Sequence, residues 1–129
     1  MKGLSTILFL LIVYCFASCE EKMPSRSETE CVKVRFIMDY CPATEPLHLV
    51  EILSPSSLAT KSGDDVNPSY TAALLDLPAS MQVRDTIFYM QVHRDPVRES
   101  RVTLNFCPAI FGPNNILVCE GIVQQPCVE

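Results

Sequence analysis

Seven cysteines and two histidines are the side chains of this 129-residue sequence best suited to chemistry. A thiol can be acylated, oxidised to a disulfide, bound to a metal or used as a nucleophile, and spacing decides among these. Cys15 and Cys19 lie in an apolar N-terminal stretch, whereas Cys31, Cys41, Cys107, Cys119 and Cys127 lie beyond it. No pair of these five has the close two-to-four-residue spacing of zinc ligands, so no metal site is expected. An odd set of five leaves one thiol over. Cys41 and Cys107 each end an apolar alternating segment and each precede Pro-Ala, where a chain must leave its sheet. The first expected bridge therefore joins Cys41 to Cys107. The second joins Cys31 to Cys127, the start of the domain to its tail, and leaves Cys119 as a buried thiol behaving as a small hydrophobe. Each bridge would close a long loop and contribute ~2–4 kcal/mol.

The remaining polar residues assemble no recognisable catalyst. His48 sits in an apolar run after Pro46, and His93 ends a strand-like run beside Arg94-Asp95, so both read as structural or solvated residues. There is no Gly-x-Ser-x-Gly elbow, phosphate-cradling glycine loop or His-Glu-x-x-His pair. Asp64-Asp65 after Gly63 offers too few oxygens for calcium. Arg94, Arg98 and Arg101 alternate with Asp95 and Glu99 and read as a solvated turn. The expectation is a protein without catalytic residues or a cofactor.

Cys19 has a different setting. Residues 1–19 read MKGLSTILFLLIVYCFASC, with Lys2, an apolar run and the small pair Ala17-Ser18 directly before the cysteine. This junction resembles the lipobox of bacterial lipoproteins, in which the thiol is acylated and the leader cut away in front of it. Phe16 stands where that pattern has leucine, supplying apolar bulk, whereas Cys15 follows the bulky Tyr14. The alternative is an ordinary secretory signal cut at the same junction. The apolar stretch falls short of the ~20 residues that cross a bilayer as a helix. The resemblance implies a signal peptide over residues 1–18, lipidation at Cys19 and a lipid anchor in the outer membrane of the envelope.

Residues 19–30 read as a lipidated tether. After Cys19, the stretch EEKMPSRSETE has one large apolar side chain, Met23, and cannot bury enough area to offset its ordering entropy. Its Glu20-Glu21-Lys22 start resembles the surface-export signal of Bacteroidetes lipoproteins. The chain carries a net charge of −5, and loss of Lys2 with the leader leaves about −6. Such a balance argues against nucleic acid and against electrostatic attachment to anionic lipid, so membrane binding falls to the acyl chains.

Residues 31–129 suffice for one domain. Val32, Val34, Phe36, Met38 and Tyr40 alternate with Lys33, Arg35, Ile37 and Asp39, the period of a half-buried strand. Residues 47–53 form a second, more buried run, 54–67 read as a surface loop, and 70–77 suit a short helix or a strand. Strand signals return at 86–93, in Val102, Leu104 and Phe106, and at 116–123, with turns at Asp95-Pro96 and Gly112-Pro113. Five or six short strands without a long helical stripe predict an all-β domain. The long first strand, the loop after the second, and Leu77-Pro78 before an apolar strand resemble the OB-fold, a small Greek-key barrel. An immunoglobulin-like β-sandwich is the alternative.

Asp85-Thr86-Ile87 resembles the O-glycosylation sites of exported Bacteroidetes proteins and would put a sugar on Thr86. As a whole the chain resembles small lipid-anchored Bacteroidetes proteins without an assigned activity. The expected function is a non-catalytic envelope module binding a protein or glycan through loops 54–67 and 108–115, the latter bearing Ile110 and Phe111. An envelope enzyme or inhibitor is the alternative.

Overall fold

The computed structural model describes residues 28–107 and 112–128. Six strands follow one another: β1 Glu30–Asp39, β2 His48–Ile52, β3 Thr60–Gly63, β4 Pro68–Leu75, β5 Ile87–His93 and β6 Ile116–Val123. Two single helical turns, Ala79–Met81 and Pro96–Glu99, are the helical elements among the described residues. Strand order is β2-β1-β5-β6-β4-β3, and β2 also pairs with β4. That last pairing closes β1, β2, β4, β6 and β5 into a five-stranded ring. All contacts around the ring are antiparallel except β4 with β6, which run parallel. This is the OB-like barrel, with β3 added outside the ring as a hairpin partner of β4.

The strands form where apolar side chains alternate. On β1, Val32, Val34 and Phe36 are buried, while Lys33 and Arg35 turn outward. They meet Val50 and Ile52 of β2, Ala72 and Leu74 of β4, Phe88, Met90 and Val92 of β5, and Leu117 of β6 inside the ring. Leu77 also joins this cluster, with Met81 of the following helical turn packed against it.

Alternation fails at Met38. Phe36 pairs with Val50 but Met38 pairs with Leu49, so Ile37 is an extra residue, a β-bulge. The bulge exchanges the faces of the strand beyond it. Ile37 packs against a second cluster outside the ring, and Met38, expected inside, is 37% exposed.

The segment that suited helix or strand equally is β4. Ala72 and Leu74 face the interior, whereas Ala73 and Leu75 join the second cluster outside the ring. A strand buried on both faces reads as a continuous apolar run, which removes the period-two signal.

Two further expectations need correction. Residues 54–67 are not loop throughout, because β3 forms within them and pairs from Thr60↔Thr71 to Gly63↔Pro68. Its polar sequence, Thr-Lys-Ser-Gly, hides it. The Asp64 carboxylate accepts from the backbone N–H groups of Val66 and Asn67 at 3.1 and 2.7 Å, which turns the chain back into β4. Conversely, Val102, Leu104 and Phe106 make no strand. A single bridge joins Leu104 to Ala43, and Phe106 is 72% exposed. Both edges of the neighbouring ring strands are already paired, so alternation there finds no ladder. Glu30, read as the last tether residue, is the first residue of β1 and pairs with Val92.

The barrel centre and the bulge make opposite predictions for two large side chains. Leu74→Ala, at a fully buried position, should cost ~2–5 kcal/mol in urea unfolding with the disulfides intact. Met38→Gln should change stability by less than ~0.5 kcal/mol, although the sequence pattern alone puts Met38 in the core.

Candidate functional site

Two connections converge on the outside of the barrel. Residues 40–47 join β1 to β2, and residues 94–115 join β5 to β6. Pro42 cannot continue a ladder after Cys41, and Asp95 starts the helical turn Pro96–Glu99 by accepting from the Arg98 backbone N–H at 2.9 Å. Cys41 is disulfide-bonded to Cys107, with Cα atoms 4.8 Å apart. Beside the bridge, Thr44 N–H donates to the Thr103 carbonyl at 3.0 Å and Asn105 N–H to the Pro42 carbonyl at 2.9 Å. The Thr44 hydroxyl accepts from Thr103 N–H at 3.1 Å. Tyr40 Oη donates to the Gly112 carbonyl at 2.8 Å.

Beneath these contacts lies the second apolar cluster. Tyr40, Cys41 and Leu47 pack with Leu49 of β2, Ala73 and Leu75 of β4 and Val118 of β6, with Val102 and Cys107 against them. OB barrels generally hold ligands on the outer face of their second and third ring strands and on the flanking loops. Here those ring strands are β2 and β4, and the chain's own loops bury part of that face.

Arg98 holds the same loops electrostatically. Its guanidinium donates to Glu45 Oε2 of the β1–β2 loop at 2.7 Å and to both carboxylate oxygens of Asp76, with Nη2 2.8 Å from Oδ1. Asp76 follows β4 with φ 60°, a left-handed conformation that aspartate tolerates better than most residues. The cluster read as a solvated turn is therefore, at Arg98, an anchor between three segments. Its partners stand 53 and 22 residues away in sequence, so no local pattern shows them. Hydrogen bonds from Arg98 hold the Asp76 carboxyl below the ordinary carboxylate value, and Asp76 and Glu45 push the guanidinium further up.

A groove of about 500 Å³ lies in this region. The β1–β2 loop forms one wall, from Asp39 through Leu47, and His48 and Gln82 complete it. His48 is 6% exposed, its ring tilted against Phe36 with centroids 6.1 Å apart, and its Nδ1 lies 3.0 Å from Asp39 Oδ1. Asp39 and His48 are direct cross-strand partners, so the register of β1 and β2 creates the pair. Gln82, just past the helical turn Ala79–Met81, donates through Nε2 to the Leu77 carbonyl at 2.8 Å. Sequence reading named His48 but not Asp39 or Gln82, which only the register and the turn bring beside it.

The other candidate residues lie apart from the groove. Cys31 is bonded to Cys127 with Cα atoms 5.6 Å apart, tying β1 to the tail after β6. Cys119 is a buried free thiol whose pKa is raised by that burial. Two disulfides indicate an oxidising, extracytoplasmic location. His93 Nδ1 lies 2.9 Å from Glu120 Oε1 at the opposite side of the β5–β6 ladder. Thr86, half-buried, immediately precedes β5, with its backbone carbonyl accepting from Phe36 N–H at 3.0 Å. Cys19, Ile110 and Phe111 lie outside the described residues, as do the leader and most of the tether. Among the described residues, no group of three His, Cys, Asp or Glu side chains is placed to hold a metal ion.

Comparison with known proteins places the chain in no family. No family model, curated protein or solved structure matches it. Strand order and the parallel β4–β6 pairing carry the fold assignment on their own.

The Arg98 anchor makes stability depend on acid in a definite sense. A carboxyl with a depressed folded-state pKa stabilises the fold above its ordinary value of 3.8, and that contribution is lost as pH falls through the lower folded value. Arg98→Gln should therefore lower stability at neutral pH and flatten the acid limb of stability below about pH 4. Because Asp76 is half exposed, solvent screening limits the loss to roughly 1 kcal/mol. Urea midpoints measured from pH 2 to 7 for both proteins check this.

Proposed function

We propose that this protein is a lipid-anchored, non-catalytic module of the bacterial cell envelope that binds a protein or glycan partner. The anchor is Cys19, acylated after removal of residues 1–18, and the outer membrane is its site, periplasmic or surface-facing. Residues following Cys19 act as the tether that separates the barrel from the lipid. Thr86 is the candidate sugar-bearing residue.

The observation that carries the binding role is the cross-linked loop pair. A disulfide, the ion pair of Arg98 with Glu45 and two backbone hydrogen bonds hold residues 40–47 against residues 94–107. Loops ordered to this degree lose little conformational entropy when a partner docks, so more of the contact energy appears as affinity. The disulfide-bonded barrel supports an exported location. The hydroxyl-bearing residues that line the groove are engaged elsewhere, Thr44 with the 101–103 segment and Tyr40 with Gly112. His48 is therefore better suited to holding a ligand than to activating a nucleophile.

Expression in a lipoprotein-processing bacterium tests the anchor. The wild-type chain should incorporate labelled fatty acid and sediment with membranes. Cys19→Ala should lose the label and either appear in the soluble fraction or persist as uncut precursor, with the disulfide-bonded barrel intact. Retention of a stoichiometric protein or glycan by the wild-type chain, purified from detergent-solubilised membranes, tests the binding role.

A further inference from the structure

We infer that the groove between the β1–β2 loop and Gln82 receives an arginine side chain of a partner polypeptide, held through its guanidinium. This deepens the binding role proposed above and rests on it.

Donors and acceptors decide the ligand chemistry. The Asp39 carboxylate only accepts, so the contact with His48 Nδ1 at 3.0 Å requires the imidazole proton on Nδ1. In that tautomer of the uncharged ring Nε2 carries a lone pair, and among the described residues no group donates to it. Gln82 spends its amide N–H on the Leu77 carbonyl, which sets the amide orientation and leaves Oε1 as an acceptor. Asp39, with its side chain 82% exposed, keeps a second oxygen toward solvent. The residues that carry these three acceptors, Asp39, His48 and Gln82, line one groove.

A ligand complementary to them must bring several donors. The net charge of the chain, −5, favours a cation in that role. Guanidinium supplies five N–H donors in one plane, enough to address three acceptors on separate segments, whereas an ammonium offers three from a single point. The walls also suit the aliphatic stem of arginine, since Pro42, Pro46 and Leu47 line the same space. His48 adds the feature that a surface carboxylate lacks. Its side chain is more than nine-tenths buried and held by Asp39 on one side and the Phe36 ring on another, yet among the described residues its second nitrogen has no protein partner. A donor brought by a ligand can pair with that nitrogen.

The test is a titration of the full chain in detergent, followed by NMR signals of the His48 imidazole and Gln82 side chain. The probes are Nα-acetylarginine amide and Nα-acetylcitrulline amide, which is nearly isosteric but uncharged. The arginine probe should shift both signals saturably with a Kd near the millimolar range, and citrulline should bind about tenfold or more weakly. Asp39→Asn and Gln82→Leu, both at positions outside the barrel core, should each weaken the arginine probe about tenfold while leaving the dispersed amide spectrum unchanged. Equal binding of citrulline, shifts confined to other residues, or no shift would overturn the assignment. If the wild-type chain nevertheless retains a defined partner, only the groove is wrong. If it retains none, the binding role itself falls.

Discussion

The bond between Cys41 and Cys107 is the constraint on which the outer half of this structure depends. It joins the end of the first strand to a connection of more than twenty residues that would otherwise have little holding it to the barrel. Connections of that length in a compact domain normally cost order. Here the bridge supplies closeness, and the weaker contacts become worthwhile because of it. Thr44 with Thr103, Asn105 with Pro42, and Arg98 with Glu45 all span the same two loops. The apolar cluster under them completes the effect, since Leu49, Ala73, Leu75 and Val118 would face water if the loops lifted away.

The consequence for function follows from which face is covered. A barrel of this topology commonly offers the outer surface of its second and third ring strands to ligands. In this chain that surface is partly consumed by an internal cluster, and the loops over it form a rim. The groove containing His48 lies on that rim, with its floor tied to the barrel through Phe36 and the β1–β2 register. A site supported by strands and cross-linked loops keeps its geometry without a ligand, which is the condition for selective rather than merely sticky binding.

Much of the barrel was legible in the sequence, because β1 and β5 carry the alternating pattern that one buried face imposes and β6 is a β-rich run. The pairing of Cys41 with Cys107 was also legible, since a proline after each cysteine marks two strand ends that can meet. What stayed hidden has specific causes. A bulge at Ile37 leaves composition untouched while reversing the faces beyond it. The short β3 strand is polar because it lies outside the ring and buries little. The alternation of Val102, Leu104 and Phe106 looks like a strand, but both neighbours of each ring strand were already taken. Arg98 resembles any solvated arginine until Glu45 and Asp76 arrive from distant segments. The groove was the least legible feature, as Asp39, His48 and Gln82 come from three elements and only folding sets their donors and acceptors.

The most direct test is to map the cystines of the purified, non-reduced protein by proteolysis and mass spectrometry, after alkylating free thiols in the folded and unfolded states. The expected result is one peptide pair linking Cys41 to Cys107, another linking Cys31 to Cys127, and Cys119 modified only after unfolding. A linkage of Cys41 to Cys31, Cys119 or Cys127 would contradict the stapled-loop architecture, and with it the placement of the groove.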